Sequence, residues 1–190
     1  MEKLRIEDVE VSVLSEGSHR RDLSERLATT DVAINHYSLA SGEEFPGGLH
    51  AHMDQEELFL VIEGEATFET MDGEVVVGEG EVVRFEPGEF QSGANESDGL
   101  LEVFALGAPR ETEDIRIPAE CPECSHANLR LDTDSEVTFR CPSCDAEQTP
   151  RDCPECGHPS LRFTLDESNQ VIVRCRGCSV TFDSPPVRKE

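Results

Sequence analysis

The chain has 190 residues, enough for one or two domains, and its 41 acidic and 16 basic side chains give it a net charge of −25. No apolar run approaches the ~18 residues of a membrane span, and the charged N-terminal segment, which has no apolar core, predicts no signal peptide. The sequence therefore disfavours a transmembrane or secreted protein and predicts a cytoplasmic one. Because so acidic a surface repels phosphates, it also disfavours nucleic-acid binding.

The acidic residues are spread along the chain, and only Lys3 and Lys189 are lysines. Self-repulsion of such a charge destabilises the compact state in dilute buffer. Concentrated salt shortens the Debye length to about 3 Å at 1 M and removes most of this repulsion. The composition thus predicts a halophilic protein, and an acidic protein from an ordinary cell is the alternative.

Residues 1–117 are predicted to be all-β, because short alternating apolar segments recur with turn signals between them. The expected strands lie within residues 32–39, 57–62, 66–70, 74–77 and 82–85. Glu63-Gly64 and Asp72-Gly73 have the pattern of hairpin turns, and a short helix is expected near residues 22–27. About ten strands in this region favour a barrel or a sandwich.

One segment of this region carries metal-binding chemistry. Residues i and i+2 of a strand project to the same face, so His50 and His52 are expected to point together. Glu57 begins an apolar strand and shares its predicted core-facing side with Phe59 and Val61. An acid is costly there unless it is paired or bound to a metal. Two imidazoles and one carboxylate form a triad that leaves coordination positions open.

The spacing His-x-His-x₄-Glu-x₆-Gly in residues 50–64 resembles the first motif of the cupin family. The second cupin motif is matched in part, at Gly80, Gly88 and Asn95. Two positions depart from it: Pro87 is displaced by one residue, and Gln91 stands where the family has a histidine. The resemblance covers about residues 28–106. It implies a cupin double-stranded β-helix barrel at residues 1–116, with one divalent first-row metal (Fe, Mn, Ni or Zn) and a homodimer.

Gln91 offers a neutral amide oxygen, which is a weaker donor for these metals than an imidazole nitrogen. Three interpretations stay open: Gln91 ligates weakly, it holds a metal-bound water or substrate, or the site has degenerated to a pocket. Asn95 is predicted to be a turn residue. His36 and Tyr37 have opposite facings on one predicted strand, so at most one of them points into the barrel.

All eight cysteines lie between residues 121 and 178, in four Cys-x-x-Cys pairs. The segment that begins at Cys121 is repeated at Cys153, and each unit has 16 or 18 residues between its two pairs. Each unit contains two short alternating apolar runs separated by a polar turn, at residues 132–135 and 166–169, and this pattern predicts a β-hairpin with a Cys-x-x-Cys pair at each foot. Each unit therefore predicts a closed Cys₄ zinc site. The predicted ligands are Cys121, Cys124, Cys141 and Cys144 for the first zinc ion and Cys153, Cys156, Cys175 and Cys178 for the second.

This region resembles a tandem pair of rubredoxin-like zinc ribbons, at residues 117–149 and 150–184. Residues 107–114, which are polar and contain a proline, are expected to be a linker before them. A ~32-residue unit has too little core to fold alone, so zinc is expected to contribute much of its folding free energy. His126 and His158 follow knuckle cysteines, but four thiolates already complete each site.

The open positions at the triad favour a small metalloenzyme or another protein that binds a small molecule there. The closed ribbons have no catalytic position and predict docking of a protein partner. A non-catalytic sensor or scaffold is the alternative, and no residue outside the triad marks a general base. Nucleic-acid binding through the ribbon arginines is a weaker possibility, because residues 118–190 still carry a net charge of −5.

Overall fold

The structure is a computed structural model, and it describes residues 1–133 and 136–188. These ranges contain a 3₁₀ turn at Ile6–Asp8 and a short helix, α1 (Leu23–Leu27), capped by the Asp22 carboxylate. No helix in them is long and apolar enough to cross a membrane. The remaining elements are the strands β1 (Ser12–Ser15), β2 (Ser18–Asp22), β3 (Ala33–Leu39), β4 (Ala51–His52), β5 (Glu56–Glu63), β6 (Glu65–Thr70), β7 (Gly73–Gly78), β8 (Val82–Phe85), β9 (Gln91–Ala94), β10 (Leu101–Ala108), β11 (Ile115–Ile117), β12 (Leu129–Asp132), β13 (Thr138–Arg140), β14 (Glu147–Gln148), β15 (Leu161–Leu165), β16 (Val171–Cys175) and β17 (Thr181–Phe182).

Two antiparallel sheets enclose the main hydrophobic core of the N-terminal half. The larger sheet has the strand order β1-β2-β3-β10-β5-β8, and the smaller has the order β7-β6-β9. Alternate residues of β5 point inward, so Phe59 and Val61 are buried as predicted. The ring of Phe59 lies 4.8 Å from that of Phe68 on the opposite sheet. The mainly β prediction for this half is confirmed.

The two predicted hairpin turns have different outcomes. A hairpin is present at Asp72-Gly73, because β6 and β7 pair directly, but its turn residues are Met71 and Asp72, and Gly73 begins β7. The prediction for Glu63-Gly64 is wrong, because β5 pairs with β10 and β8 whereas β6 belongs to the other sheet. Gly64 turns the chain from one sheet to the next. A Cβ there would lie 2.4 Å from the carbonyl oxygen of Leu100, and its φ of +84° also favours glycine.

A third sheet, of order β14-β13-β12-β11-β4, joins the barrel to the first cysteine unit. In it, Ile115 pairs with His52 and Ile117 pairs with Leu129. The segment that was expected to be a linker is fastened to the barrel, because the carboxylate of Asp54 accepts hydrogen bonds from the Thr112 hydroxyl (2.6 Å) and from the Glu113 amide (2.8 Å). This segment therefore extends the barrel instead of separating it from the ribbons.

The second cysteine unit forms a sheet of order β15-β16-β17. The hairpins predicted for the two units are present as β12–β13 and β15–β16. The turn predicted at residues 132–135 falls partly outside the described residues, at Asp134 and Ser135. A second hydrophobic cluster draws on the barrel and on both units; its buried members include Leu49, Ile117, Leu129, Phe139, Phe163 and Val173.

Candidate metal centre

His50 and His52 reach the barrel interior from the short segment around β4. His50 forms an antiparallel bridge with Gln91, and β4 pairs with β11 on its other side. Ala51, between the two histidines, is buried in the opposite direction. The i, i+2 spacing thus places both imidazoles on one face, with ring centroids 5.0 Å apart.

The three predicted ligand atoms converge within 4.8 Å of one another. The Nε2 atoms of His50 and His52 are 3.1 Å apart, and His52 Nε2 is 3.6 Å from Glu57 Oε2. Two nitrogens bound at right angles to one ion at 2.0–2.1 Å would be separated by about 3 Å. The spacing of the imidazoles therefore fits a shared metal ion.

The hydrogen-bonding of His50 also fits ligation through Nε2. Its Nδ1 lies 2.7 Å from the carbonyl oxygen of Gly48, which places the ring proton on Nδ1. The lone pair of Nε2 is then directed toward His52. A carbonyl partner on the far side of a ligating imidazole is the usual way in which its ring orientation is fixed.

Burial sets the protonation states at this site. It lowers the pKa of His52 to about 4, with a further contribution from His50, and it lowers the pKa of His50. Burial raises the pKa of Glu57 to about 7, and the hydrogen bond from Gln91 partly opposes this shift. Near neutral pH the imidazoles are neutral donors and the carboxylate is poorly solvated. Both properties favour a bound cation.

Gln91 contacts the triad through its amide. Its Nε2 donates a hydrogen bond of 3.0 Å to Glu57 Oε2, and its side chain is buried. In this arrangement Gln91 orients the carboxylate, which agrees best with a supporting role beside the ligands. Direct ligation by its amide oxygen stays a prediction.

The triad lines one wall of a cavity of about 240 Å³ inside the barrel. Aromatic rings form much of its apolar surface, namely those of Tyr37, Phe45 and Phe59. Burial raises the pKa of Tyr37, and the positive charge of Arg20 opposes this shift. His36 faces the outside of the sheet, where its Nε2 is 2.8 Å from the Glu102 carboxylate. As predicted, only one of the two neighbours on β3 faces the cavity.

Two polar residues of the cavity wall were missed by sequence reasoning, Gln55 and Arg110. The Gln55 amide donates to the carbonyl oxygen of Pro109 at 2.6 Å and so fastens Arg110 at the wall. Arg110 is the one basic residue between Arg84 and Arg116, an isolated cation in an acidic stretch. This isolation could have marked Arg110 as a candidate site residue, but the segment that contains it was interpreted as a linker.

Asn95, the last residue of the second motif, is fully buried away from the triad. Its Nδ2 donates to the carbonyl oxygens of Leu39 (2.9 Å) and Gly99 (2.8 Å), and its Oδ1 accepts from the Ser97 amide. These contacts confirm its prediction as a turn residue.

The eight cysteines form two clusters of four. In the first, Sγ–Sγ distances are 3.7 Å for Cys121–Cys144 and 3.5 Å for Cys124–Cys141. The corresponding distances in the second are 3.8 Å and 3.6 Å. Four sulfurs placed tetrahedrally about zinc at about 2.3 Å would be separated by about 3.8 Å. Both clusters therefore fit a closed zinc site.

Backbone amides support the thiolates. The amides of Ser143 and Gly177 donate to the sulfurs of Cys141 and Cys175, at 3.4 Å and 3.3 Å. His158 uses its Nδ1 to accept a hydrogen bond from the Ser160 amide, at 3.1 Å. This contact suits its predicted place beside the cluster.

Comparison with known proteins gives the family of the barrel. Residues 35–107 match the family model described as "Cupin domain". No curated protein matches the sequence significantly.

Solved structures share the fold at low sequence identity. A sugar phosphate isomerase from a cupin superfamily, from Silicibacter pomeroyi, is 19% identical, with a TM-score of 0.53, and the match covers 84% of this chain and 96% of that one. The polyketide cyclase RemF from Streptomyces resistomycificus is 18% identical (TM-score 0.53; 65% and 89% covered). A predicted oxalate decarboxylase from Thermotoga maritima is 21% identical (TM-score 0.50; 57% and 99% covered). The chain therefore contains a cupin domain at residues 35–107, followed by two Cys₄ modules that fit tandem zinc ribbons.

Proposed function

We propose that this protein binds one divalent first-row metal ion at His50, His52 and Glu57 and uses it to bind or convert a small molecule in the barrel cavity. The observation that carries the proposal is the convergence of three ligand atoms on the wall of an internal cavity. A bound ion with open positions would supply Lewis acidity or, if it is a redox metal, electron transfer. The two ribbon zinc ions are structural in this proposal.

The side chains around the triad have separable tasks. The Gly48 carbonyl and the Gln91 amide orient His50 and Glu57, respectively. The rings of Tyr37, Phe45 and Phe59 give the cavity an apolar wall, beside which electrostatic interactions with a ligand are stronger than in bulk water. Gln55, Arg110 and Thr112 provide polar groups at the same wall. At about 240 Å³ the cavity is smaller than most drug-sized pockets, which favours a small polar ligand.

The second candidate is a sensor that binds the same molecule without converting it. Among the described residues of the cavity wall, the titratable side chains outside the triad are Tyr37 and Arg110. Burial raises the pKa of Tyr37, and Arg110 donates to the carbonyl oxygen of Thr29. Neither is a ready general base, and this observation favours a binding role. Incubation with a candidate ligand separates the two functions. An enzyme would form a product, whereas a sensor would show only a ligand-induced rise in its melting temperature.

The remaining expectations about partners stay proposals. The hairpin faces of the ribbons that point away from the barrel offer a surface for a protein partner, and a homodimer through the cupin domain is expected from the family resemblance. The cytoplasmic and halophilic assignments rest on composition.

The metal content of the full chain tests the proposed function. Protein purified without added metal and then titrated with Co²⁺ is expected to hold two zinc ions and one further ion. The His52→Ala variant removes a nitrogen donor and is expected to lose only the further ion. His36→Gln alters a buried histidine on the outer face of the same barrel and serves as the matched control.

The absorption spectrum shows where cobalt is bound. Cobalt bound by thiolates gives sulfur-to-metal charge-transfer absorption, so the spectrum distinguishes the barrel from the ribbons. Undiminished cobalt binding by His52→Ala would contradict the proposal.

A further inference from the structure

Strand β15 of the second ribbon lies directly on the barrel segment that leads into His50. The Leu49 amide donates a hydrogen bond of 2.9 Å to the Phe163 carbonyl oxygen. A Cβ on Gly48 would lie 2.7 Å from Arg162 Cγ and 3.0 Å from the Phe163 carbonyl oxygen, so glycine at position 48 allows this close approach. The ribbon and the ligand-bearing segment are therefore in direct contact.

Arg162 anchors this contact. Its side chain is only 11% exposed, and its guanidinium pairs with the Glu44 carboxylate. Its second terminal nitrogen donates to the Ser92 hydroxyl at 2.6 Å. Ser92 follows Gln91, which orients the acid of the triad. Burying a guanidinium is costly unless it is paired. The partners that offset this cost for Arg162 are two barrel residues, Glu44 and Ser92, and Ser92 lies on the wall of the cavity that the triad lines.

The rest of the hairpin is fixed to the barrel as well. The Glu69 carboxylate accepts hydrogen bonds from the Thr164 hydroxyl and from the Leu165 amide, each at 3.0 Å. At the hairpin turn, Asn169 Nδ2 donates to the Met71 carbonyl oxygen at 2.9 Å. Contacts along residues 162–169 therefore fix the orientation of the second ribbon on the barrel. A module joined only by a flexible linker would lack such contacts.

The second cysteine cluster lies beside the start of β15. Leu161, the residue before Arg162, pairs in register with Cys175 of that cluster. The Arg176 amide donates to the Ser160 carbonyl oxygen and closes the foot of the hairpin. The position of Arg162 is therefore defined by residues directly attached to the cysteine cluster.

We propose that Arg162 is a positioning residue of the barrel metal centre and that the second ribbon, through its zinc ion, holds His50 in its ligating orientation. The connection runs from Arg162 and Phe163 to the Gly48–Leu49 backbone, and from the Gly48 carbonyl to Nδ1 of His50. Loss of a group hydrogen-bonded to a metal ligand, as the Gly48 carbonyl is to His50, typically changes metal affinity by 10- to 100-fold. The inference rests on the proposed function, because it assigns the ribbon a task at that site.

The test uses the full, zinc-loaded chain with Co²⁺ as the barrel probe. Arg162→Ala is expected to weaken barrel Co²⁺ binding at least about tenfold while two zinc ions remain bound. The hyperfine-shifted signal of the His50 ring Nδ1–H, measured by NMR, is expected to move or to exchange faster. Arg162→Lys keeps the charge beside Glu44 and should restore part of the affinity.

Arg174→Ala is the matched control, because Arg174 faces Arg162 in the β15–β16 register and its side chain is exposed. This variant is expected to behave as the parent. Thermodynamic reciprocity gives a second check. If zinc in the second ribbon raises the affinity of the barrel for Co²⁺ by some factor, then Co²⁺ in the barrel should raise the affinity of that ribbon for zinc by the same factor, measured by competition with a chelator.

The possible results separate the two proposals. Parent-like Co²⁺ affinity and an unchanged His50 signal in Arg162→Ala, with both zinc ions retained, would overturn the positioning role and leave the proposed function standing. Equal losses in Arg162→Ala and Arg174→Ala would also overturn it, because the effect would then come from ribbon charge in general. A parent chain that binds no third ion overturns both proposals.

Discussion

The barrel and the ribbons hold their candidate metal ligands in opposite ways. In each ribbon, four cysteines from two knuckles surround one point, so no position is left for another ligand. In the barrel, two histidines and one acid line the wall of a cavity, where the Gln91 amide orients Glu57 and the Gly48 carbonyl orients His50. A closed site contributes to folding, whereas an open site leaves room for a ligand. The two regions nevertheless share one buried cluster around Leu49.

Removing zinc should give the largest effect and should test how far the closed sites support the rest of the chain. A strong chelator at neutral pH is expected to abolish the dispersed amide signals of residues 119–183, because the ribbons have little core without metal. The barrel core around Phe68 lies between the two sheets of the N-terminal half and should keep its signals. Signals near Leu49 should broaden, since that side chain packs in the ribbon cluster.

NMR spectra before and after chelation, with zinc content measured on the same samples, check this expectation. Survival of the ribbon signals after complete zinc loss would show that packing alone holds these hairpins. Loss of the Phe68 signals would show instead that the barrel depends on the ribbons for its stability.

Salt should separate the regions by charge and is expected to have the second-largest effect. Residues 1–117 carry a net charge of −20, and residues 118–190 carry −5. Between about 0.1 and 2 M KCl, screening removes most of the self-repulsion, so the barrel should gain more stability than the ribbons. Thermal melts followed by NMR, with barrel and ribbon signals read separately, give both transitions from one sample. A barrel transition that does not move with salt would contradict the halophile prediction.

Changing Gln91 should have a smaller effect that sharpens the description of the open site. Gln91→Ala removes the hydrogen bond to Glu57 and is expected to weaken barrel Co²⁺ binding by about tenfold, or about 1.4 kcal/mol. His52→Ala removes a ligand and should eliminate binding. Gln91→His would supply an imidazole at the usual cupin position and should raise the affinity for Fe, Ni or Zn.

Co²⁺ titrations of these three variants in the zinc-loaded chain give the order of affinities. If Gln91→Ala is as damaging as His52→Ala, Gln91 is a ligand of equal weight, and its role as an orienting partner is wrong. The zinc content of each variant is the control for ribbon integrity.

Local patterns in the sequence were sufficient to predict much of the chemistry. The i, i+2 histidines, the acid at the start of an apolar strand and the repeated Cys-x-x-Cys pairs each depend on spacing within one or two strands. Strand alternation and hairpin periodicity are local properties as well. For this reason the sequence alone indicated a mainly β chain with a His50–His52–Glu57 cluster and two four-cysteine clusters.

Only the tertiary structure decided how these parts are joined. The change of sheet at Gly64, the attachment of residues 107–114 to the barrel, and the burial of Arg162 against Glu44 depend on contacts between residues distant in sequence. An arginine on a ribbon hairpin looks like any solvent-exposed charge until the barrel strand that it covers is known. Pairing partners and buried charges are set by the free energy of the whole packed chain, and local sequence patterns do not encode them.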